Sequence, residues 1–307
     1  MKLYRLAPFA IFVVYLLGIF AAQFALGANL SSLIFVSDLD DTIRVSQILS
    51  RTDHHLNTAV NYTSSKMPFS HMPELYSQLL ADGAGFQYVS SIPKPISGMG
   101  ERFIKNSGFP AGKLWSREGK TKADHKISSI REIMRQNPDH KLVLLGDNGE
   151  HDPEIFAEIL KDSYMGPRVE AAFIHELYAK NETLPAGEKP FFTAGDLAVS
   201  LNEKGLLERD AALKILKRTV RSLHPDPGLK AQSRQHLTYP FFAEAPEERL
   251  RAVLTPLSAN TPDAEIKGEM SHLQNALVSR AQHTKPLGCL RNLLLRLAIG
   301  IKGIRTP

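Results

Sequence analysis

The spacing of apolar and polar positions along the chain predicts strands that alternate with helices. The clearest strand is Leu33–Ser37, a short and almost wholly apolar run that ends abruptly at acidic residues. Strands that alternate with helices in this way form a parallel sheet covered by helices on both faces. The predicted fold class is therefore α/β. The further predicted elements are strands at 86–89, 141–145 and 169–174 and helices at 72–80, 100–105, 124–135 and from 152 onwards.

The second half of the chain shows only helical spacing, which begins after a polar, proline-containing linker at 181–190. A leucine-rich basic stretch at 287–304 is either a helix that lies on a membrane surface or a helix docked on the domain. These patterns predict an α/β domain at 32–180 and a helical region at 190–307. The helices predicted in that region span 195–204, 206–223, 246–254 and 263–282.

The N-terminus has the pattern of a signal peptide or an uncleaved membrane anchor. Lys2 and Arg5 precede an uncharged apolar run that continues to about residue 26. The run approaches the roughly 20 residues that span a bilayer. Residues 1–28 therefore predict a protein that is exported or membrane-anchored, in the cell envelope or periplasm or secreted.

Composition and charge narrow the classes of partner. The 307 residues are 43% hydrophobic and 22% charged, which is ordinary for a globular protein with a core. The net charge is +5, and from residue 214 onwards the chain contains 15 Lys and Arg but only 7 Asp and Glu. This excess favours anionic partners such as a membrane surface, and no nucleic acid is expected because no reading motif accompanies the charge. The single cysteine excludes an intramolecular disulfide.

Two acids directly follow the first predicted strand, at the sheet edge where open α/β folds carry out chemistry. Asp38 can attack a phosphorus atom as a carboxylate nucleophile. Asp40 can protonate the leaving oxygen and later activate water. Thr42 stands two positions further and is expected to support these acids.

Further polar residues follow the other predicted strands and can converge on the same edge. Ser90 and the ammonium of Lys126 can bind phosphoryl oxygens, and Ser91 is either a third phosphate ligand or a turn residue. Asp38 and Asp147 supply the hard oxygen ligands that Mg²⁺ prefers. Asp152 either supports the site or caps the helix that begins there.

Taken in order, these positions resemble the motifs of haloacid dehalogenase-type phosphatases. The run 38–42 is similar to their first motif, Asp-x-Asp-x-Thr, and the run 146–152 is similar to their fourth. A denser similarity, from about 33 to 177, is to the catalytic domain of the phosphatidate phosphatase App1 family. The resemblance implies a Rossmann-like sheet and Mg²⁺ held by Asp38, the Asp40 carbonyl and Asp147. It also implies that Ser90 and Lys126 bind phosphate.

The segments between the motifs are short and leave room for only a minimal cap over the site. An open site suits a bulky substrate, and we expect a phosphatase acting on phosphatidate or a related phospholipid. Two alternatives stay open. One is a phosphatase for a phosphoprotein or a soluble phosphoester, and the other is a non-catalytic binding module of the same fold.

Overall fold

A computed structural model describes residues 30–46, 68–177, 183–223 and 247–283 of the chain. In this part of the protein six parallel strands form one sheet, in the order β3-β2-β1-β4-β5-β6. The first strand, β1, lies in the middle of the sheet, between β2 and β4. The strands are β1 (Leu33–Ser37), β2 (Gly85–Pro93), β3 (Lys113–Arg117), β4 (Lys141–Asp147), β5 (Val169–His175) and β6 (Glu188–Phe191).

Helices cover both faces of the sheet, which confirms the predicted α/β class. The helices are α1 (Met72–Ala81), α2 (Gly98–Asn106), α3 (Lys122–Gln136), α4 (Asp152–Lys161), α5 (Ala194–Glu203), α6 (Arg209–Leu223), α7 (Glu247–Asn260) and α8 (Ala264–His283). Short 3₁₀ turns at Lys94–Ile96 and Gly166–Arg168 follow β2 and α4 respectively. Helices α3 and α4 cover one face, and α1 with the later helices covers the other.

The central strands are apolar on both faces because both faces are buried. Ile34 and Val36 of β1 pack into the core beneath α3 and α4, whereas Phe35 packs into the core on the opposite face. On that opposite face the buried cluster is continuous from the sheet into the C-terminal helices and includes Leu216 and Leu273. The helical region therefore shares a core with the sheet, while the division at 180–190 stays a prediction.

Both edge strands were missed from the sequence. β3 is short and its residues are half-exposed or exposed, so it lacks the buried apolar run that marks the central strands. β6 has only four residues and lies in the segment predicted as a linker, yet it pairs with β5 along its length. Edge strands bury less surface, and their sequence pattern is correspondingly weaker.

The predicted location of the protein is corrected by the structure. Within 30–46, 68–177, 183–223 and 247–283, none of the helices combines the length with the apolar character that crossing a bilayer requires. This finding contradicts the prediction of export or membrane anchoring, since no signal segment is shown. The predicted leader, the predicted 287–304 helix and residues 47–67 are outside the described residues.

Candidate active site

Three carboxylates meet at the carboxyl edge of the sheet, beside its two central strands. Asp38 directly follows β1, and its backbone N–H donates to the carbonyl of Leu145 in β4 at 2.9 Å. Asp147 is the last residue of β4, and Asp152 is the first residue of α4. Each of the three offers an oxygen within 4.8 Å of the others, and all three side chains are buried. We call Asp38, Asp147 and Asp152 the acidic cluster.

Asp152 enters this cluster because the strand opposite it has no side chain at one position. A Cβ atom on Gly146 would lie only 2.5 Å from Asp152 Oδ2, so a glycine is needed there for the carboxylate to approach β4. Asp152 Oδ2 accepts from the backbone N–H of Asp147 at 3.3 Å. The helix cap is His151, so the predicted capping role of Asp152 is wrong.

Lys126 brings a positive charge into the cluster from α3. Its ammonium donates to Asp152 Oδ1 and lies 3.5 Å from Asp38 Oδ2, with only 5% of the side chain exposed. Burial opposes the charged form, but the carboxylates of Asp152 and Asp38 outweigh it and raise the pKa of Lys126 above its ordinary value. Helix α3 is capped by the hydroxyl of Thr121, which accepts from the N–H of Asp124, so the helix begins two residues earlier than the predicted 124–135.

The cluster contains three carboxyl groups and is paired with a single ammonium. Burial raises the pKa of Asp38 and of Asp147 well above the usual range, and neighbouring carboxylates raise both further, against the lowering effect of Lys126. Three carboxylates and one ammonium leave a net charge of about −2 when all are ionised. The carboxylate oxygens are hard ligands at a spacing that suits one ion, and they outnumber the single ammonium. The cluster therefore fits a divalent cation such as Mg²⁺.

The two remaining acids of the loop after β1 form hydrogen bonds within that loop. The carboxylate of Asp40 accepts from the guanidinium of Arg44, with Nε at 2.8 Å, and from the hydroxyl of Ser46. Asp41 takes a left-handed backbone conformation, with φ 60°, and accepts from the N–H of Ser46 at 2.7 Å. Thr42 points back, and its hydroxyl donates to Asp147 Oδ2 at 3.3 Å.

The two predicted serines lie inside β2 and not beyond its end. The pairing of β2 with β3 shifts register between Ser90 and Pro93, so Ser91 sits at an irregularity of the strand. Ser90 is buried, its hydroxyl accepts from the N–H of Ile92 at 3.2 Å, and its backbone bonds to His125, the neighbour of Lys126. Ser91 Oγ is buried and has no hydrogen-bond partner among the described residues.

A buried histidine that the sequence reading missed holds the loop after β1. Nδ1 of His175 lies 3.0 Å from the carbonyl oxygen of Asp41 and 3.1 Å from that of Thr42. Nε2 lies 3.1 Å from the carbonyl of Phe192, and the ring stacks on Phe191. Burial lowers the pKa of His175 to about 4, so the ring is neutral near pH 7. Its position as a polar residue at the end of β5 is the same signal that identified Asp38 and Asp147.

A second missed contact joins this edge of the sheet to the C-terminal helices. Glu176, buried directly after β5, accepts from Arg249 of α7, with Nε at 2.7 Å. Asn148 follows Asp147, and its side-chain oxygen accepts from the N–H of Leu177 at 2.9 Å. The contact of Asn148 ties the segment after β5 to the segment that joins Asp147 to Asp152.

Comparisons with known proteins find similarity in the part of the chain that carries this site. Residues 33–176 match the family described as phosphatidate phosphatase APP1, catalytic domain. The chain is also 26% identical over 132 residues to phosphatidate phosphatase APP1 of Saccharomyces cerevisiae, a match that covers 39% of this chain. The chain spans only 22% of the length of that relative. No solved structure gives a significant match. The α/β part of this chain is thus similar to a phosphatidate phosphatase catalytic domain.

Proposed function

We propose that the chain is a Mg²⁺-dependent phosphatase of the haloacid dehalogenase type that hydrolyses phosphatidate or a related phospholipid. The observation that carries the proposal is the buried acidic cluster with Lys126, placed at the carboxyl edge of a parallel sheet. The similarity of residues 33–176 to a phosphatidate phosphatase catalytic domain supports the choice of reaction and substrate.

In the proposed reaction Asp38 is the nucleophile. A carboxylate oxygen of Asp38 bonds to phosphorus while the bond from phosphorus to the alcohol oxygen breaks, and Asp40 gives its proton to that oxygen. Asp40 then takes a proton from water as the water oxygen attacks the phosphorus. The bond between Asp38 and phosphorus breaks, and inorganic phosphate leaves with Asp38 restored.

Positive charge and hydroxyl donors would stabilise the phosphoryl group during both steps. Lys126 already lies against Asp38 and can neutralise charge on a phosphoryl oxygen beside it. Ser90 and Ser91 lie on the neighbouring strand β2 and would donate hydroxyl hydrogen bonds. The cation would be held by Asp38, Asp147 and the Asp40 carbonyl, and it would offset the repulsion between the carboxylates.

Asp40 must change its partners for this role. Its carboxylate is held by Arg44 and Ser46, and it is close enough for its charge to raise the pKa of Asp38. A rotation about its side-chain bonds is the smallest change that would turn it towards a leaving group. Catalytic hydrogen bonds commonly form only when substrate is bound.

Substrate class is tested by comparing phosphatidate in mixed detergent micelles with a panel of soluble phosphomonoesters. We expect phosphate release from phosphatidate to be faster, to stop with EDTA and to return with added Mg²⁺. Faster turnover of a soluble ester or a phosphopeptide would show that this class, and not phosphatidate, is the substrate. Absence of turnover on every substrate would favour the non-catalytic module, and activity indifferent to chelation would exclude the metal requirement.

A further inference from the structure

An exposed turn with apolar residues lies immediately beyond the strand that carries Ser90 and Ser91. Among the described residues three large hydrophobic side chains are exposed, and Ile96 in the 3₁₀ turn after β2 is one of them, at 41%. Pro93, Lys94 and Pro95 beside it are exposed as well. Two prolines and a 3₁₀ hydrogen bond stiffen this turn, so little conformational entropy is lost when it meets a partner. We call residues 93–96 the apolar turn.

Basic residues are frequent in the chain that follows the apolar turn. From Lys94 to Lys122 there are seven Lys and Arg and two Asp and Glu, although Lys113, at the start of β3, lies at the opposite edge of the sheet. Lys94 and Lys122 are exposed, at 60% and 47% of their side chains. The ion pair of Lys94 with Glu118 is a surface contact of small energy, whereas Glu150, the partner of Lys122, is only 17% exposed. Lys120, which is also exposed, follows β3 on the same side. We call Lys94, Lys120 and Lys122 the basic rim.

The apolar turn and the basic rim lie at the same edge of the sheet as the acidic cluster. All six strands are parallel, so β2 and β3 end at the edge where β1 and β4 end. The guanidinium of Arg117, at the end of β3, donates to the carbonyl of Ser91 at 3.2 Å and links the two strand ends. Helix α3 begins in the basic rim and delivers Lys126 to the cluster one turn later.

We propose that the apolar turn and the basic rim dock the protein onto an anionic lipid bilayer. This inference rests on the proposed function and adds the surface by which the site meets its substrate. An apolar tip enters the boundary between headgroups and acyl chains, and flanking Lys and Arg bind the anionic headgroups. A lipid phosphomonoester would then lie beside Ser91 and the cluster while its acyl chains stay in the bilayer.

The same features fit a protein partner less well. Stable protein interfaces bury about 800 Å² on each partner around aromatic or arginine anchors in pockets. Here the apolar turn offers one isoleucine and two prolines. The apolar turn together with the basic rim instead suits the charged, deformable surface of an anionic bilayer.

The test uses the purified full chain and co-sedimentation with vesicles. Vesicles of phosphatidylcholine alone are compared with vesicles that also contain phosphatidylserine, an anionic lipid without a phosphomonoester. We expect binding to the anionic vesicles that weakens with salt, because the charges are solvent-exposed. Lys94→Glu should weaken this binding by about fivefold or more, and Ile96→Asp by about tenfold.

Matched controls lie at the opposite edge of the sheet. Lys141→Glu alters an exposed lysine paired with Glu170 at 2.8 Å, the distance at which Lys94 pairs with Glu118. Leu80→Asp alters an exposed leucine, at 48%, near the end of α1 that leads into the start of β2. Both controls should bind anionic vesicles as the unaltered protein does. Equal losses in controls and test variants, or equal binding to neutral vesicles, would overturn the proposal.

The outcome is separable from that of the proposed function. Phosphatidylserine binding needs no catalysis, so Asp38→Asn should bind the anionic vesicles normally. Hydrolysis of phosphatidate in detergent without vesicle binding would overturn the docking surface and leave the function standing. Vesicle binding without hydrolysis of any ester would overturn the function and leave the docking surface. Binding to phosphopeptides in place of vesicles would count against the lipid surface.

Discussion

The two sides of the candidate site differ in how far their side chains already contact one another. On the acidic side, beside β1 and β4, Asp152 holds Lys126 and the N–H of Asp147, and Thr42 donates to Asp147. On the hydroxyl side, beside β2, Ser90 Oγ accepts only a local backbone N–H, and Ser91 Oγ has no partner among the described residues.

This difference indicates that the acidic side is organised before a ligand binds, whereas the hydroxyl side still has donors to offer. Preorganised charge is the form of stabilisation that costs no rearrangement during a reaction. A buried hydroxyl without a partner is costly unless a ligand completes it. Removing the positive charge from the acidic side should therefore affect catalysis and stability together, while altering the hydroxyl side should affect substrate binding more than folding.

The strongest test of the acidic side removes the proposed nucleophile. Asp38→Asn keeps the shape of the side chain and loses the carboxylate, so we expect phosphate release to fall by about ten-thousandfold or more. Melting temperature should be retained, because the raised pKa of Asp38 shows that its charge is not favoured in the fold. Asp210→Asn, at a 90% exposed side chain, is the control and should be silent. Retained turnover in Asp38→Asn would refute the nucleophile.

Asp40→Asn tests the acid whose carboxylate accepts from Arg44 and Ser46. The amide oxygen can still accept from Arg44, so the loop should keep its conformation. We expect a loss of about a hundredfold to ten-thousandfold in turnover, the range for general acid–base catalysis. The loss should shrink for an ester whose leaving group needs no proton. An unchanged rate would remove Asp40 from the reaction and leave it as a loop anchor for Arg44.

The acids of the site show which features the sequence could predict and which it could not. Asp38 and Asp147 could be placed because β1 and β4 are buried on both faces and appear as continuous apolar runs. The hydrogen-bond partners of Asp40 could not be predicted, because they depend on a loop in which Asp41 has a positive φ and Arg44 donates back to Asp40. The contribution of Asp152 was equally hidden, since it depends on the missing side chain of Gly146.

Burial also decides which of the other elements could be predicted. Burial on two faces leaves a strong periodic signal, so the central strands and most helices were predicted within a few residues. β3 and β6 lie at the edges of the sheet and leave little signal. The role of His175 required knowing that the loop after β1 lies over the end of β5, a contact between positions far apart in the chain.

Lys126→Met separates charge pairing from packing on the acidic side. The substitution fills a similar volume but leaves Asp152 and Asp38 buried without their counter-charge. We expect the free energy of unfolding to drop by about 3–5 kcal/mol. Turnover should fall by about a hundredfold to a thousandfold. Urea unfolding and initial rates measure the two effects. Lys161→Met, at an exposed lysine in the last turn of α4, should change neither, and comparable losses in that variant would contradict the prediction.

A divalent cation should stabilise the acidic side, and more so as pH rises. The folded-state pKa values of Asp38 and Asp147 are raised, so the folded protein binds more protons than the unfolded chain. Without a cation, stability is therefore expected to fall as pH rises above the ordinary carboxyl value towards those raised values. Mg²⁺ supplies the missing positive charge, and at a hundred times its dissociation constant it should add about 2.7 kcal/mol.

Thermal melting across pH with EDTA or Mg²⁺ measures this effect. Asp147→Asn should lose most of the Mg²⁺ shift, while Asp162→Asn, at the C-terminal end of α4, should keep it. A shift that is equal at low and high pH, or one that survives in Asp147→Asn, would show that the cation binds elsewhere.

The smallest expected effect tests the hydroxyl side directly. Ser91→Ala removes a buried hydroxyl that has no protein partner among the described residues, so folding stability should change by less than about 1 kcal/mol or improve. If a phosphoryl oxygen completes that hydroxyl, KM should rise by about tenfold, the equivalent of one hydrogen bond to a charged group. Ser107→Ala offers a matched control, since Ser107 Oγ is also buried and unpartnered but follows α2, away from the cluster. A KM that rises in neither variant, or in both, would mean that the vacant hydroxyl of Ser91 is a packing feature and that the hydroxyl side binds phosphate through other donors.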